Sequence, residues 1–555
     1  MATSRNFMPE PVVFPGDEPF WAATREGQLL AKRCTACNAL HFYPRAHCPH
    51  CGHRETLWHA LSGRGTVYSH TVVERSPRPT APVIIELEEG LRIHSVVVDA
   101  DVHALRIGDP VTMRCIPSAQ GQCLPAFTTV AAEQARAYTQ RARAALGVAS
   151  PEAAQRFKQA VVIGAGHMGV GIALALLAGG LRVRLIDKSA PALASAQERI
   201  AAGLQQQVDR GRLSAPAMAE QQAALTTSTD VTDVAHAELV LEAVFEDMAL
   251  KCDLFRTIDA HADASAVLAT NTSTLDIGQI AAATRRPEAV VGLHFFNPAQ
   301  VMKLLEIVRA PATSADTLTA AKALARRIGK TPIVVGICDG FVGNRLMITR
   351  ERQAAQLLLE GALPEQIDRF QREFGLPMGT FELQDMAGGI ALTHHARQRS
   401  GQSDWLVEQL FQRGRLGQRA GRGYYRYEAG QRRPLVDPEV TALIEEASRL
   451  KGLERRAIGE QELHDRLILP MVNEGAKLVA EGIVERASDI DLIWQLGYGW
   501  PDWKGGPMHH ADSLGLATVV ERLQALQARH GPVFQPADAL VQLARSGGRL
   551  CEQIS

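Results

Sequence analysis

An excess of charge of either sign is what this 555-residue chain lacks: 59 Lys and Arg stand against 60 Asp and Glu, a formal net charge of −1. Bulk attraction to nucleic acid or to an anionic membrane is excluded by that balance. Long apolar runs are equally scarce, since only AVVIGAGHMGVGIALALLAGGL, residues 160–181, goes 22 positions without a charge. Gly164, Gly166 and Gly169 interrupt it just after the β-branched run Val161-Val162-Ile163, which argues for a strand and a turn instead of a membrane span. The amino terminus has no basic segment followed by an apolar run, so no secretory signal is read and a cytoplasmic location is expected. At 46% hydrophobic and 21% charged residues the chain has the composition of a soluble globular protein, and its length calls for three to five domains.

Cysteine is unevenly spent. Four of the nine form Cys34-x2-Cys37 and Cys48-x2-Cys51, two knuckles ten residues apart that suit tetrahedral thiolate ligation of Zn2+. Four thiolates leave no open position, so the metal is structural. His41, His47, His50 and His53 are expected at the surface and not as ligands. In a reducing compartment no disulfide is expected, which leaves Cys115, Cys123, Cys252, Cys338 and Cys551 scattered.

Beyond the knuckles, GRGTVYSHTVVERS, PVIIELEEGLRIHSVVVDAD and DPVTMRCIPS alternate apolar and polar residues between turn residues, the pattern of a small β-barrel. A ribbon and barrel could also hold single-stranded nucleic acid, but residues 1–131 carry 12 Lys and Arg against 12 Asp and Glu, without the basic groove such binding needs. Residues 131–159, rich in Ala, Arg and Gln, read as a helical connector.

At Ala160 a strand meets GAGHMG, runs into an apolar helix, and a second strand ends in Asp187. This is the dinucleotide fingerprint in its full context: Gly164, Gly166, Met168 and Gly169 bring backbone to a pyrophosphate, and Asp187 accepts both ribose hydroxyls while repelling a 2′-phosphate, so the cofactor expected is NAD. Further strands are expected at 238–244, 266–272, 289–296 and 303–308. The last two flank an Asn-Pro turn, which can fold His294 against Glu306 so that a carboxylate orients an imidazole base.

Two resemblances follow. The four cysteines, Phe42, Pro44 and Arg45, and the opening Gly65, Val67 and Tyr68 resemble the OB-fold proteins with a rubredoxin-like zinc ribbon that accompany thiolases and hydratases in acyl-CoA metabolism. Asn38 replaces that family's usual glycine. NTSTL (271–275), HFFNPAQVMKLLE (294–306) and GFVGNRL (340–346) resemble the active-site blocks of the L-3-hydroxyacyl-CoA dehydrogenases, over residues 158–555. This resemblance implies His294 as base, Glu306 as its partner, Ser273 and Asn344 as groups holding the substrate oxygen, and Glu246, Lys251 and Asn297 near the cofactor. Arg419 stands where that family often has lysine, and Thr380 replaces a proline, which is expected to loosen a turn.

The carboxyl-terminal part repeats itself. Arg345-Leu346, Glu360-Gly361, Ile367-Asp368 and Pro377-Met378 recur as Arg466-Leu467, Glu481-Gly482, Ile490-Asp491 and Pro507-Met508, with Asp465 at the place of Asn344. A tandem of this kind resembles the dehydrogenase half of multifunctional fatty-oxidation enzymes, where the second copy stands in for a partner subunit's helices. The fold class expected is therefore multidomain: zinc ribbon (15–60), OB barrel (61–131), helical linker (132–159), α/β Rossmann domain (160–337) and two tandem all-α domains (338–428 and 457–555). The function expected is NAD-dependent oxidation of a (3S)-3-hydroxyacyl-CoA. An acyl-CoA thioester is then the substrate and a thiolase a candidate partner through the barrel. A free hydroxy acid dehydrogenase and a non-catalytic scaffold are the alternatives.

Overall fold

The computed structural model describes residues 10–74, 79–118, 120–148, 153, 155–399, 401, 404–428, 431 and 434–552. Residues 75–76 of the first expected barrel strand, and 149–152 and 154 of the expected connector, lie outside them. The chain divides into two compact units, Met1–Gln140 with Asp502–Gly505, and Arg141–Pro501 with Gly506–Ser555.

In the first unit a helix, Glu18–Arg25, precedes strands β1 (Leu29–Cys34), β2 (Leu40–His41) and β3 (Thr56–Leu61), ordered β2-β1-β3. The expected barrel follows: β4 (Arg64–His70), β5 (Ala81–Leu87), β6 (Arg92–Val97), β7 (Pro110–Pro117) and β8 (Cys123–Thr129) close in the order β4-β5-β6-β8-β7. Alternation buries Val67, Val83, Ile85, Ile93 and Val111 inside. Asn38 has φ 58°, a left-handed conformation that asparagine and glycine adopt most readily.

Two expectations are corrected here. Cys115 and Cys123 are joined by a disulfide, their strands β7 and β8 pairing antiparallel so that Pro117 faces Cys123 and Cys115 faces Pro125. His41 is buried and not at the surface, because it sits on β2 facing the core, while His47, His50 and His53 are exposed.

In the second unit, a sheet of eight strands runs β11-β10-β9-β12-β13-β14-β15-β16. It comprises β9 (Gln159–Ile163), β10 (Arg182–Ile186), β11 (Leu225–Ser228), β12 (Leu239–Glu242), β13 (Val267–Thr270), β14 (Val290–Phe295), β15 (Leu304–Val308) and β16 (Thr331–Val335). All neighbours pair parallel except β14 with β15. The charge-free stretch 160–181 thus becomes most of β9 and a buried helix, His167–Ala178. Strands buried on both faces are what covering helices require of a parallel sheet. Among the described residues no helix is long and apolar enough to cross a membrane.

The helical region bears out the repeat through side chains that do the same work twice. Asp368 accepts the Phe381 and Glu382 amides at one helix start, as Asp491 accepts those of Met508 and His509 at another. A Cβ on Gly379 would lie 2.2 Å from Asp368, and one on Gly506 2.2 Å from Asp491, so both copies need glycine there. Asp385 and Asp512 likewise each accept two consecutive amides, of Tyr424 and Tyr425 and of Leu550 and Cys551. Thr380 does not loosen its turn: its amide donates to Gln371 Oε1 at 2.6 Å and its hydroxyl accepts from Gln371 Nε2 at 2.9 Å, two bonds a proline could not make.

Candidate active site

Three glycines shape the turn after β9, each for its own steric reason. Gly164 has φ 110°, and a Cβ there would lie 2.5 Å from the Ala243 carbonyl. A Cβ on Gly169 would lie 1.8 Å from the Gly164 carbonyl, whereas one on Gly166 would meet nothing within 4 Å. Open space over Gly166, at the amino end of the helix His167–Ala178, is the cradle into which a pyrophosphate fits. Asp187 lies just beyond β10, half-buried, and its carboxylate accepts from Ala165 N at 2.8 Å and Ser189 N at 2.9 Å. The acid therefore pins the glycine turn from the end of β10, the place the dinucleotide fingerprint gives to a ribose-holding acid. Met168 lies on that helix and packs against the sheet's core.

Around the ends of β12 and β13 the polar groups divide into two layers. Glu242, fully buried, accepts from Lys251 Nζ at 2.5 Å, Thr270 Oγ1 at 2.7 Å and Val244 N at 2.6 Å. Lys251 is itself only 1% exposed, so its charge is committed to Glu242, with Glu246 at 3.4 Å. Glu246 binds the NTSTL loop: Oε1 accepts from Thr272 Oγ1 at 2.6 Å and from the Ser273 and Thr274 amides at 2.8 and 3.1 Å. Burial pushes the Glu246 carboxyl up, but the Thr272 hydroxyl, the Lys251 ammonium and those amides outweigh it and leave it below its ordinary range. Ser273 is set by that loop just beyond β13, whose Thr270 pairs with Gly292, two residues before His294. Asn271 Oδ1 accepts from Phe295 N at 2.9 Å, tying the loop to the next strand.

The Asn-Pro turn does what its flanks predict. On antiparallel β14 and β15, His294 and Glu306 are direct cross-strand partners, so both side chains project from one face. His294 Nδ1 lies 2.7 Å from Glu306 Oε2, and the other oxygen, Oε1, accepts from Gly343 N at 3.0 Å. Glu306 is fully buried and His294 is 5% exposed. A carboxylate so deep is sustained by the imidazole and by the amino end of the helix Phe341–Glu360, where Gly343 sits. Phe296 and Phe341 flank the ring at 4.8 and 5.5 Å, and Nε2 is the nitrogen that Glu306 does not engage. Asn344, next to Gly343, accepts at Oδ1 from Tyr498 Oη at 2.7 Å.

Asn297 Oδ1 lies 2.8 Å from His167 Nε2, joining the Asn-Pro turn to the glycine turn. Lys330 donates to the Ala299 and Met302 carbonyls and so braces the chain between His294 and Glu306. Arg419 lies on an exposed turn, Gln418–Ala420. Of these groups, His167, Glu242, Lys330 and Tyr498 were not singled out from the sequence. His167 occupies a variable position of the fingerprint, and the others show only once strands and helices are brought together.

At the ribbon, the four cysteine sulfurs all lie within 4.8 Å of one another, with Cys34 to Cys51 and Cys37 to Cys48 each 3.6 Å. A tetrahedron of Zn–S bonds of about 2.3 Å puts sulfurs ~3.8 Å apart, so the donor set fits the ion.

A glycine turn fitted to a pyrophosphate, with an oriented imidazole at the carboxyl ends of the same sheet, defines an NAD-dependent dehydrogenase. The chain belongs to the 3-hydroxyacyl-CoA dehydrogenase family: that family's NAD binding domain matches residues 159–338, and its C-terminal domain matches twice, at 340–427 and 463–550. Residues 21–56 match the rubredoxin-like zinc ribbon domain of ChsH2 and residues 58–115 its C-terminal OB-fold domain. The zebrafish (Danio rerio) peroxisomal bifunctional enzyme is 35% identical over 416 residues, 71% of this chain and 57% of that protein. This chain thus spans little more than half the length of such relatives. Among solved structures, Escherichia coli 3-hydroxybutyryl-CoA dehydrogenase superposes with a TM-score of 0.61 at 28% identity, covering 70% of this chain and 99% of that one. The dehydrogenase part of multifunctional enzyme 1 from C. elegans gives 0.55 at 28% identity, covering 74% and 96%.

Proposed function

We propose that this chain oxidises a (3S)-3-hydroxyacyl-CoA to the 3-oxoacyl-CoA, with His294 as the base. NAD, when bound, supplies the hydride acceptor. The observation that carries the reading is the buried pair of His294 and Glu306, fixed opposite one another by strand register beside a glycine turn fitted to a dinucleotide. His294 Nε2 takes the hydroxyl proton of the substrate. Glu306 holds the Nδ1 proton, which sets the tautomer, and faces the imidazolium once it forms. Ser273 and the Asn344 amide hold the substrate oxygen and present the carbon-bound hydrogen to the cofactor crevice. In reduction the protonated imidazole returns the proton to the developing alkoxide.

A panel of 3-hydroxyacyl-CoA thioesters and the matching free hydroxy acids, followed by NADH absorbance with His294→Gln as control, tests this. Turnover of the free acids alone would put the chain in the alternative class, and no turnover of either would leave a scaffold. A cytoplasmic location belongs to the same proposal; the zebrafish relative is named for the peroxisome.

The ribbon and barrel serve, in this reading, either to contact the acyl-CoA or to dock a following enzyme such as a thiolase. Deleting residues 1–131 separates the two. A large rise in KM for the thioester supports acyl contact, and unchanged kinetics with lost thiolase co-purification supports docking.

A further inference from the structure

Asn344 has a problem common to every amide: its two ends have the same shape and opposite chemistry. Holding an oxygen on which negative charge develops requires Nδ2 to face it, because Oδ1 in that place would repel the charge. The group on the far side of the amide is a hydroxyl that donates to Oδ1, and it comes from the second helical copy. Tyr498 lies just beyond the helix Ala487–Gly497, in a connection longer than its counterpart, running from Asp491 to Pro507 against Asp368 to Pro377. Its hydroxyl donates to Asn344 Oδ1 at 2.7 Å.

We propose that Tyr498 is a positioning residue for the dehydrogenase reaction, holding the Asn344 amide with Nδ2 turned to the substrate oxygen. The inference rests on the role given to Asn344 above. The ring is fixed on several sides: it stacks on Trp494 at 4.4 Å and 18°, and stands edge-on to Phe296 at 5.5 Å and 80°. Gly343, whose amide serves Glu306, has no room for a side chain, since a Cβ there would lie 2.6 Å from the tyrosine oxygen. Burial, with the Glu306 and Glu351 carboxylates, holds the Tyr498 hydroxyl well above the ordinary phenol range, so it keeps the proton it donates. The second copy has no amide of its own to offer here, Asp465 being engaged by Gln461, His464 and Arg522. What it contributes instead is the group that orients the first copy's amide.

The test is a double-mutant cycle in the full-length protein. Tyr498→Phe keeps the ring and its stacking, and its melting temperature is checked against wild type. Losing one orienting hydrogen bond should lower kcat about 10-fold in both directions, with KM for NAD unchanged. In an Asn344→Ala background, Tyr498→Phe should change kcat less than about 2-fold, because its effect passes through the missing amide. Equal losses in both backgrounds, or no loss in the first, would overturn the proposal. Wild-type kcat in Asn344→Ala alone would remove the role of Asn344 and this inference with it. A slow Asn344→Ala beside an unaffected Tyr498→Phe would remove only the inference.

Discussion

Arg345 in the first helical copy holds Glu481 in the second through guanidinium contacts of 2.6 and 2.9 Å. The same pairing recurs with the copies exchanged, for Arg466 in the second copy grips Glu360 in the first through both NH1 and NH2. Reciprocal contacts of this kind are the mark of an isologous interface, in which one patch meets itself across a two-fold axis. Here both halves lie on one chain, so the tandem copies meet as two subunits of a dimer would.

Arg466 is 1% exposed, and Glu360, half-buried, also accepts from Arg456 at 3.2 Å and from Gln356 at 2.9 Å, so removing Arg466 leaves it partly paired. Arg466→Ala should destabilise the second unit by about 1–3 kcal/mol, while Arg466→Leu combined with Glu360→Leu should recover most of that loss. Differential scanning calorimetry of the two variants reads the difference; a double variant as unstable as the single one would speak against the pairing as drawn.

Glu306 uses each carboxylate oxygen for a different donor, Oε2 for the His294 ring and Oε1 for the Gly343 amide. Glu306→Gln offers one oxygen and one NH2 to two donors, and it removes the charge that faces the imidazolium. We expect kcat to fall about 10²–10⁴-fold with NAD affinity retained, as measured by NADH formation and by titration of the cofactor. Unchanged turnover would deny Glu306 its orienting part.

Much of this site was legible because each residue solves a local steric problem. Gly164, Gly166 and Gly169 answer three separate demands of one turn, and two apolar runs around Asn297-Pro298 admit a register that sets His294 opposite Glu306. The Arg345 and Arg466 pairings were half visible, since the repeat aligns the arginines and glutamates without saying which crosses to which. Tyr498 was not legible, because its partner lies far off in sequence and only the helix packing brings them together. Lys251 was expected near the cofactor from the resemblance alone, and its buried pairing with Glu242 shows only in the fold. The strand β11, LTTS, carries no apolar pattern to announce it, and the Cys115 to Cys123 bond depends on the β7 and β8 register.

Lys330 braces the catalytic turn from a buried position, where desolvation first and the Lys303 charge second bring its ammonium down from 10.5 to about 8. Between those values the unfolded chain binds a proton that the native state does not. Native stability from this group is therefore present above pH 10.5 and lost as pH falls through about 8. Lys330→Met should lose that slope, so the melting temperature of wild type should gain on the variant as pH rises across the window. Parallel curves would show that Lys330 titrates alike in both states.

The ribbon's four sulfurs lie within 4.8 Å of one another, and the Cys37 and His50 amides donate to two of them, so Cys48→Ser should abolish stoichiometric zinc, measured by metal analysis of the purified protein. The dehydrogenase site lies in the other compact unit, and its kcat with a 3-hydroxyacyl-CoA should be unchanged. A zinc-free variant that also lost turnover would tie the metal to catalysis, against the closed four-thiolate geometry.

Asp187 carries two duties that a single substitution can part. Asp187→Asn keeps an oxygen for the Ala165 amide, which holds the glycine turn in shape, gives up the bond from the Ser189 amide, and removes the negative charge that would reject a 2′-phosphate. KM for NAD should rise about 10-fold, the loss of roughly one charge-assisted hydrogen bond to the ribose. KM for NADP should fall at the same time. Asp187→Ala removes both duties, so its thermal stability should drop further than that of Asp187→Asn. If both variants bind NAD as wild type does, Asp187 serves only the turn, and the preference for NAD must come from elsewhere in the crevice.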